Sequence, residues 1–196
     1  MTSGSRYGRA LVLVVGLLVG VGAAAAAEPP ARHLESWRLR SGAAYAGTVT
    51  AVRRIGSLEG LSLETQGRME ATVAIAKVLR APSGVTPPAE APVRFDCRTP
   101  EPEGEGFYAL APGEGVLVFA DAFEPAYPRE LMHGAPAALG AEIKVLRDFV
   151  TTMDADTMRL HGLTAVTRAS EVKLYDDAMA AIARLPSPPA SPQRNK

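Results

Sequence analysis

The feature that most constrains this chain is a change in the spacing of its apolar residues. From Ala43 to about Leu131 they recur mostly at every second position, the period of a β-strand. From Pro136 onward they recur at every third or fourth position, the period of an α-helix. The sequence therefore predicts a mainly β fold over residues 43–131, with a helical extension over residues 136–185 packed on it.

Four runs of residues carry the strand pattern: AYAGTVTAVRRI (Ala44–Ile55), ATVAIAKVLR (Ala71–Arg80), VRFDC (Val93–Cys97) and VLVFA (Val116–Ala120). The last is apolar throughout and rich in β-formers, which predicts a buried central strand. Leu61–Thr65 reads as a further short strand, followed by a glycine turn at Gly67. Proline and glycine mark Pro82–Pro92 and Thr99–Gly106 as exposed loops. Five or six strands with long polar loops are typical of a small barrel or sandwich.

Two details of the first strand run constrain its surroundings. Gly47 interrupts a row of larger side chains, which predicts a bend or a close backbone approach at that position. Arg53 and Arg54 end the run, and charges at such a place protect a strand from pairing with another chain.

The helical region divides into three predicted helices. The first carries one apolar stripe and has Pro136 in its first turn, where proline is tolerated. Asp154 is placed to cap a second, short helix that ends near Gly162. Ser170 is placed to cap a third helix, whose apolar stripe consists of Val172, Tyr175, Met179 and Ile182.

The N-terminal residues predict export. Arg6 and Arg9 precede the apolar run Leu11–Val21, and Ala25-x-Ala27 fits the small-residue cleavage motif of a secretory signal peptide. An uncleaved membrane anchor is the alternative, but the apolar run is short for a full span. We therefore expect residues 1–27 to be removed near Ala27. The mature protein would be periplasmic or secreted, without a stable membrane span.

The composition of the mature chain argues against nucleic acid as a partner. The full sequence has 21 basic and 21 acidic residues, and residues 1–27 contain two arginines and no acid, so 19 basic residues remain against 21 acidic ones. Nucleic-acid-binding domains usually carry a basic face or stripe, whereas this balance is about −2. Residues 28–42 form a mixed, charged lead-in, and residues 186–196 are predicted to be disordered by composition.

Taken together, AYAGTVTAVRRI, ATVAIAKVLRAP, VRFDC and FYALAPGEGVLVFAD resemble the netrin-like fold. This is the oligonucleotide/oligosaccharide-binding (OB) type of barrel that the tissue inhibitors of metalloproteinases share. The resemblance covers roughly residues 43–152. It implies a small OB-like barrel of five to six strands packed by one to three helices.

The chain departs from the animal inhibitors where their activity resides. Those inhibitors begin with a cysteine that chelates the protease zinc, and they contain disulfides. Here the expected mature chain begins at Glu28, and Cys97 is its only cysteine. The resemblance therefore implies a fold rather than an inhibitory mechanism.

No catalytic or metal-binding constellation is visible in the sequence. His33, His133 and His161 are far from one another and from Cys97 in the chain, so no metal-ligand spacing occurs. Cys97 is expected to be a buried thiol that acts as a small apolar residue, with intermolecular pairing or a reactive thiol as alternatives. A thiol enzyme would need one of the histidines beside it. No catalytic residue, metal or cofactor is predicted.

These features favour a non-enzymatic binding protein that contacts a protein partner through the loops at the ends of a barrel. The candidate contact residues are Glu103 and Glu105 in one exposed loop, with Phe107 and Tyr108 as aromatic contacts beside it. A carrier of a small ligand or glycan, using a pocket between barrel and helices, is the alternative. A thiol enzyme that uses Cys97 is a remote one.

Overall fold

The computed structural model describes residues 41–56, 66–98 and 108–186, and within these it leaves the side chains of Gln66 and Arg98 undescribed. The predicted signal peptide (1–27), most of the lead-in (28–42), the predicted strand Leu61–Thr65 and nearly all of the tail (186–196) lie outside the described residues.

The described residues form one five-stranded antiparallel sheet. Its strands are β1 (Ala43–Gly56), β2 (Gln66–Arg80), β3 (Glu90–Arg98), β4 (Gly115–Ala120) and β5 (Glu130–Gly134). They lie in the order β3-β2-β1-β4-β5, so β1 is central and β3 and β5 are the edges. The prediction of a mainly β fold followed by helices is confirmed.

Three details of the strand prediction are wrong. Gly67 is not a turn but part of β2, where it pairs with Cys97. Pro92 is not in the loop but in β3, opposite Thr72, and an edge strand tolerates a residue without an N–H. The five residues of β5 extend the sheet beyond the predicted limit at Leu131.

The sheet does not close into the predicted barrel by a continuous ladder in the described residues. We call the gap between the edge strands β3 and β5 the seam. A single parallel bridge, Val93 to Ala126, joins β3 to the β4–β5 connection, where the Arg94 N–H donates to the Ala126 carbonyl (3.0 Å). The Tyr108 N–H donates to the Asp96 carbonyl (3.0 Å) in the same gap. Two chain connections, rather than paired strands, therefore line the seam.

Gly47 allows β1 and β2 to approach closely. The register between these strands shifts next to Gly47, and a Cβ atom at this position would overlap the carbonyl oxygen of Ala74. The close backbone approach predicted for Gly47 is therefore present in the structure.

The inner face of the sheet carries one of two cores. It contains alternate residues of all five strands, among them Tyr45, Val73, Phe95, Val118 and Leu131. The connections add Leu110 and Phe123, and the Phe123 ring lies 5.6 Å from the ring of Tyr45.

The outer face is covered in part by helices α1 (Pro136–Thr152), α2 (Ala155–Leu160) and α3 (Ala165–Ile182). The stripe of α1 is buried as predicted. With α3 it covers small residues of β1 and large residues of β4 and β5: Ala44, Ala46, Leu117, Phe119 and Met132. Small residues on β1 leave room for α3, which contacts β2 and β1.

The helix starts are partly as predicted. Asp154 caps α2, since its carboxylate accepts from the Thr157 N–H (2.7 Å). The prediction for α3 is wrong, because Thr164 rather than Ser170 is its cap. Thr164 and Thr167 bond each other's backbone N–H groups in a capping box, whereas Ser170 lies inside the helix and donates to Val166.

A buried polar network fixes α3 to the sheet. Arg80, at the end of β2, donates from Nη2 to Glu171 Oε1 of α3 (2.9 Å) and from Nη1 to Ser41 Oγ (3.0 Å). Glu171 and Ser41 are both almost fully buried. A buried carboxylate is costly without a charged partner, so this arrangement selects one position of α3 on the sheet.

The helices of the described region are too short or too polar to cross a membrane.

Candidate functional site: a charged sheet face and the seam beside it

Of the four predicted contact residues, only Tyr108 lies in the described part of the chain. Glu103, Glu105 and Phe107 lie outside it. The Tyr108 side chain is half-buried and packs against the inner core. Its ring also meets the ring of His133 edge-on, with 6.1 Å between the ring centroids. Tyr108 thus has a packing role in the seam, and its contact role stays a prediction.

The two loops predicted to be exposed, Pro82–Pro92 and Thr99–Gly106, flank β3 in the sequence. The β2–β3 turn, which includes Pro82, precedes β3, and the connection that begins at Thr99 follows it. β3 has nine residues, so its first and last Cα atoms are about 26 Å apart at 3.3 Å per residue. The two ends of β3, at which these loops begin, are therefore far apart.

A row of charges crosses three strands on the outer face. Arg53, Glu70 and Arg94 are direct neighbours in the registers of β1, β2 and β3, and we call them the arginine ladder. Arg53 donates to Glu70 Oε1 from Nη2 (2.6 Å) and Nε (3.2 Å). Arg94 Nε donates to Glu70 Oε2 (3.2 Å). Both carboxylate oxygens are thereby used, and the ladder keeps a charge of about +1.

The burial of these three side chains differs strongly. Glu70 is 8% exposed, whereas the side chains of Arg53 and Arg94 are 73% and 43% exposed. The hydrogen bonds from Arg53 lower the pKa of Glu70 below its ordinary 4.5, opposed by burial and assisted by Arg94. Glu70 is therefore an ionised support beneath two exposed guanidinium groups.

Further polar groups surround the ladder on the same face. Arg68 lies two positions before Glu70 on β2 and is exposed. Its register partner is Asp96 of β3. Asp96 Oδ1 accepts from the hydroxyl of Tyr127 (2.8 Å). Burial, and then this hydrogen bond, raise the pKa of Tyr127, so the hydroxyl stays protonated as a donor.

The helices leave this part of the face open because they cover its other half. The side chains under α1 and α3 come from Ala44 and Ala46 of β1, from Leu79 near the end of β2, and from β4 and β5. Beyond Thr48, β1 has no pairing with β4, and its residues from Thr50 to Ile55 are exposed or half-buried. The ladder occupies this projecting part of β1 and the strands beside it.

A second polar group lies at the seam. His133 Nδ1 is 3.2 Å from Glu114 Oε2, and the same oxygen accepts from the Ala111 N–H (3.0 Å). We call His133, Glu114 and Tyr108 the seam cluster, and all three residues are half-buried. A carboxylate–imidazole pair becomes catalytic with a nucleophile in hydrogen-bond reach of the imidazole. Among the described residues His133 has no such partner, and its interactions order the 108–114 connection.

Cys97 shows none of the features of an activated thiol. It is half-buried and packs against the inner core. Burial raises its pKa, which disfavours the reactive thiolate. Within the described ranges, no three His, Cys, Asp or Glu side chains are grouped to hold a metal ion.

The helix–sheet boundary is packed, with one shallow groove at its rim. Leu139, Ile143, Leu146 and Ile182 are each at most 1% exposed beneath the helices. The groove, about 260 Å³, lies between β2 and the end of α3 and is open to solvent; Lys77, Asp177 and Arg184 are among its lining residues. It lies outside the packed interface where a pocket for the alternative carrier function is expected.

No family model matches the chain, and no curated protein matches its sequence.

Sequence reasoning missed the arginine ladder. Arg53 reads as edge protection, and Arg94 stands 41 positions further on, so the sequence does not show their convergence on Glu70. The available signal is Glu70 itself, an acid next to a run of small and branched residues in β2.

Proposed function

We propose that this chain is an exported, non-enzymatic binding protein that contacts a protein partner through the outer face of β1, β2 and β3. The observation that carries the proposal is the arginine ladder. Its guanidinium groups are exposed, while the carboxylate that holds them is buried. Side chains fixed in this way lose little entropy on binding.

The ladder includes a residue of the strand that directly precedes the contact residues predicted from the sequence. Arg94 lies in β3, four residues before Arg98, and the connection with Glu103, Glu105 and Phe107 starts directly after β3. A partner on the ladder face would therefore lie next to that connection. The β2–β3 turn, at the far end of β3, is left out of the proposed contact surface.

The netrin-like architecture is part of the proposal. The sheet order, with β1 between β2 and β4 and a parallel bridge from β3 toward β5, supports an OB-type barrel that is open at the seam. Export rests on the sequence of residues 1–27, which has the layout of a signal peptide. N-terminal sequencing of the protein recovered outside the cytoplasm tests this step. A mature chain beginning at Glu28 is expected, and an intact Met1 contradicts it.

Affinity capture tests the function. The exported protein is immobilised and exposed to extracytoplasmic extract from its own source, beside the variants E103Q/E105Q and F107A. Recovery of one protein in stoichiometric amount, reduced by these variants, supports the proposal. K144Q/K173Q, which changes two exposed helix residues, is the matched control and should retain the partner.

Two outcomes contradict the proposal. If no protein is recovered in stoichiometric amount, the proposed binding of a protein partner is contradicted. A small molecule that copurifies instead favours the carrier alternative.

A further inference from the structure

We propose that the arginine ladder and Arg68 form a binding surface for an extended, acidic polypeptide segment of the partner. This inference rests on the proposed function and specifies the chemistry of its contact surface. The four side chains concerned are Arg53, Glu70, Arg94 and Arg68, which share the outer face of β1, β2 and β3.

The guanidinium groups have donors to spare. The ladder uses Nε and Nη2 of Arg53 and Nε of Arg94. Within the described part of the chain, Arg53 Nη1 and both Nη atoms of Arg94 make no hydrogen bond, and Arg68 makes no side-chain hydrogen bond. Because Arg53 and Arg94 are held from below by Glu70, these donors are preorganised for carboxylates, which arginine binds through two parallel hydrogen bonds.

The spacing of the charges fits an extended chain. Arg68 is two positions from Glu70 along β2, a distance of about 6.6 Å between side chains on one face. The ladder crosses β2 at Glu70, with Arg53 and Arg94 on the two neighbouring strands. An extended acidic segment repeats its carboxylates at the same distance on one side. It can therefore place one carboxylate at the ladder and the next at Arg68.

The carboxylates within the surface favour a polypeptide over a polyphosphate. Glu70 lies between the two ladder arginines, and Asp96 lies opposite Arg68. A nucleic acid strand, with a charge at every phosphate, would meet these carboxylates as well as the arginines. A polypeptide can put neutral residues there, and the hydroxyl of Tyr127 already satisfies one oxygen of Asp96.

Direct binding of a defined probe tests the inference. The probe is a fluorescein-labelled peptide of alternating Glu and Thr, about 12 residues long, and the readout is fluorescence anisotropy with the exported protein in about 50 mM salt. We expect saturable binding that weakens at about 300 mM salt. The matching Gln-Thr peptide should bind at least about tenfold more weakly.

Three variants locate the binding. R53Q/E70Q/R94Q removes the ladder without leaving Glu70 as a buried unpaired charge, and should weaken binding at least about tenfold. R68Q leaves the ladder intact and should weaken binding about threefold. K144Q/K173Q removes two exposed charges elsewhere and should bind as the unaltered protein does. Circular dichroism and a thermal melt establish that each variant is folded.

Several results would overturn the inference. These are no binding of the Glu-Thr peptide up to about 1 mM, equal binding of the Gln-Thr peptide, or equal effects of the ladder and control variants. Tighter binding of a thymidine oligonucleotide of the same length assigns the surface to nucleic acid instead. A partner captured from extract that R53Q/E70Q/R94Q still retains would contradict both this inference and the proposed function. Loss of that partner in R53Q/E70Q/R94Q, together with no binding of the Glu-Thr peptide by the unaltered protein, would overturn this inference alone and leave the proposed function intact.

Discussion

The two halves of β1 belong to one strand but lie in different surroundings. From Ala43 to Val49, all residues except the half-buried Thr48 are buried. From Thr50 to Gly56, none is buried. The first half has β2 and β4 on its two sides and a core on each face. The second half extends past the end of β4 and keeps only the pairing with β2.

The difference shows that the neighbours of a strand, rather than its own β-propensity, determine which part of it is buried and which part is exposed. Both halves contain residues that favour strands, and both are paired along their length with β2. In the first half the side chains build the two cores. In the second half, freed of β4 and the helices, they form a charged surface around Arg53. The central strand is therefore structural at one end and available for binding at the other.

The largest contrast between the halves is expected on truncation of Tyr45. Its ring is 1% exposed and packs against Phe123. Tyr45→Ala should lower the free energy of unfolding by about 3–5 kcal/mol, because it leaves a cavity in the inner core. Urea unfolding followed by circular dichroism measures the change. Ile55→Ala, in the exposed half, should cost less than about 1 kcal/mol. Equal losses at both positions would show that the halves are equally packed.

A smaller loss is expected where β1 approaches β2. Gly47→Ala would place a Cβ atom against the Ala74 carbonyl oxygen, so the two strands must separate. We expect a destabilisation of about 1–3 kcal/mol in thermal or urea unfolding. Gly140→Ala, in helix α1 with open space around its Cα, is the matched control and should stabilise by about 0.5–1 kcal/mol. A neutral Gly47→Ala would mean that the close approach is not required.

The smallest effect concerns the exposed half and depends on pH. The pKa of Glu70 is lowered in the folded state, so its stabilising contribution is present above its ordinary value of 4.5 and is lost as the pH falls through the lowered value. Relative to Glu70→Gln, the unaltered protein should be more stable by about 1 kcal/mol at neutral pH, where Arg53 and Arg94 are the partners.

Thermal melts of both proteins from neutral pH to about pH 3 measure this difference. The other acidic groups titrate in both proteins, so their effect cancels in the comparison. The difference in stability between the two proteins should disappear below pH 4.5. A stability difference that stays constant over this pH range would show that the ladder does not depend on the ionised form of Glu70.

The sequence predicts most of the fold because an element that buries one face repeats its apolar residues at a regular spacing. β1, β3, β4 and α1 are found this way. It fails where other constraints replace that spacing. Gly67 reads as a turn, but it lies in β2, where a Cβ atom would come within 2.9 Å of Arg54 Nε and 3.1 Å of the Gly56 carbonyl oxygen. The start of α3 is missed because Ala165 and Val166 are exposed and show no apolar stripe.

The candidate site is less accessible to such reasoning. The ladder joins residues from three strands, and the seam cluster joins a residue of β5 to the 108–114 connection. The pairing that brings such residues together cannot be read from any one segment of the sequence. The sequence identifies Tyr108 as an aromatic residue near the surface, but not its contact with His133. It identifies Arg53 as a charge at a strand end, but not its bonds to Glu70. The β2–β3 pairing brings Arg94 to the same carboxylate.

The connections that line the seam also bear on aggregation. An edge strand with a free row of N–H and C=O groups is a template for a second chain. On β3, Pro92 has no N–H, the Arg94 N–H is taken by Ala126, and the Asp96 carbonyl is taken by Tyr108. A neighbouring molecule would have to displace both connections before it could extend the sheet there. The same contacts that hold the seam together thus keep this edge from recruiting further copies of the chain.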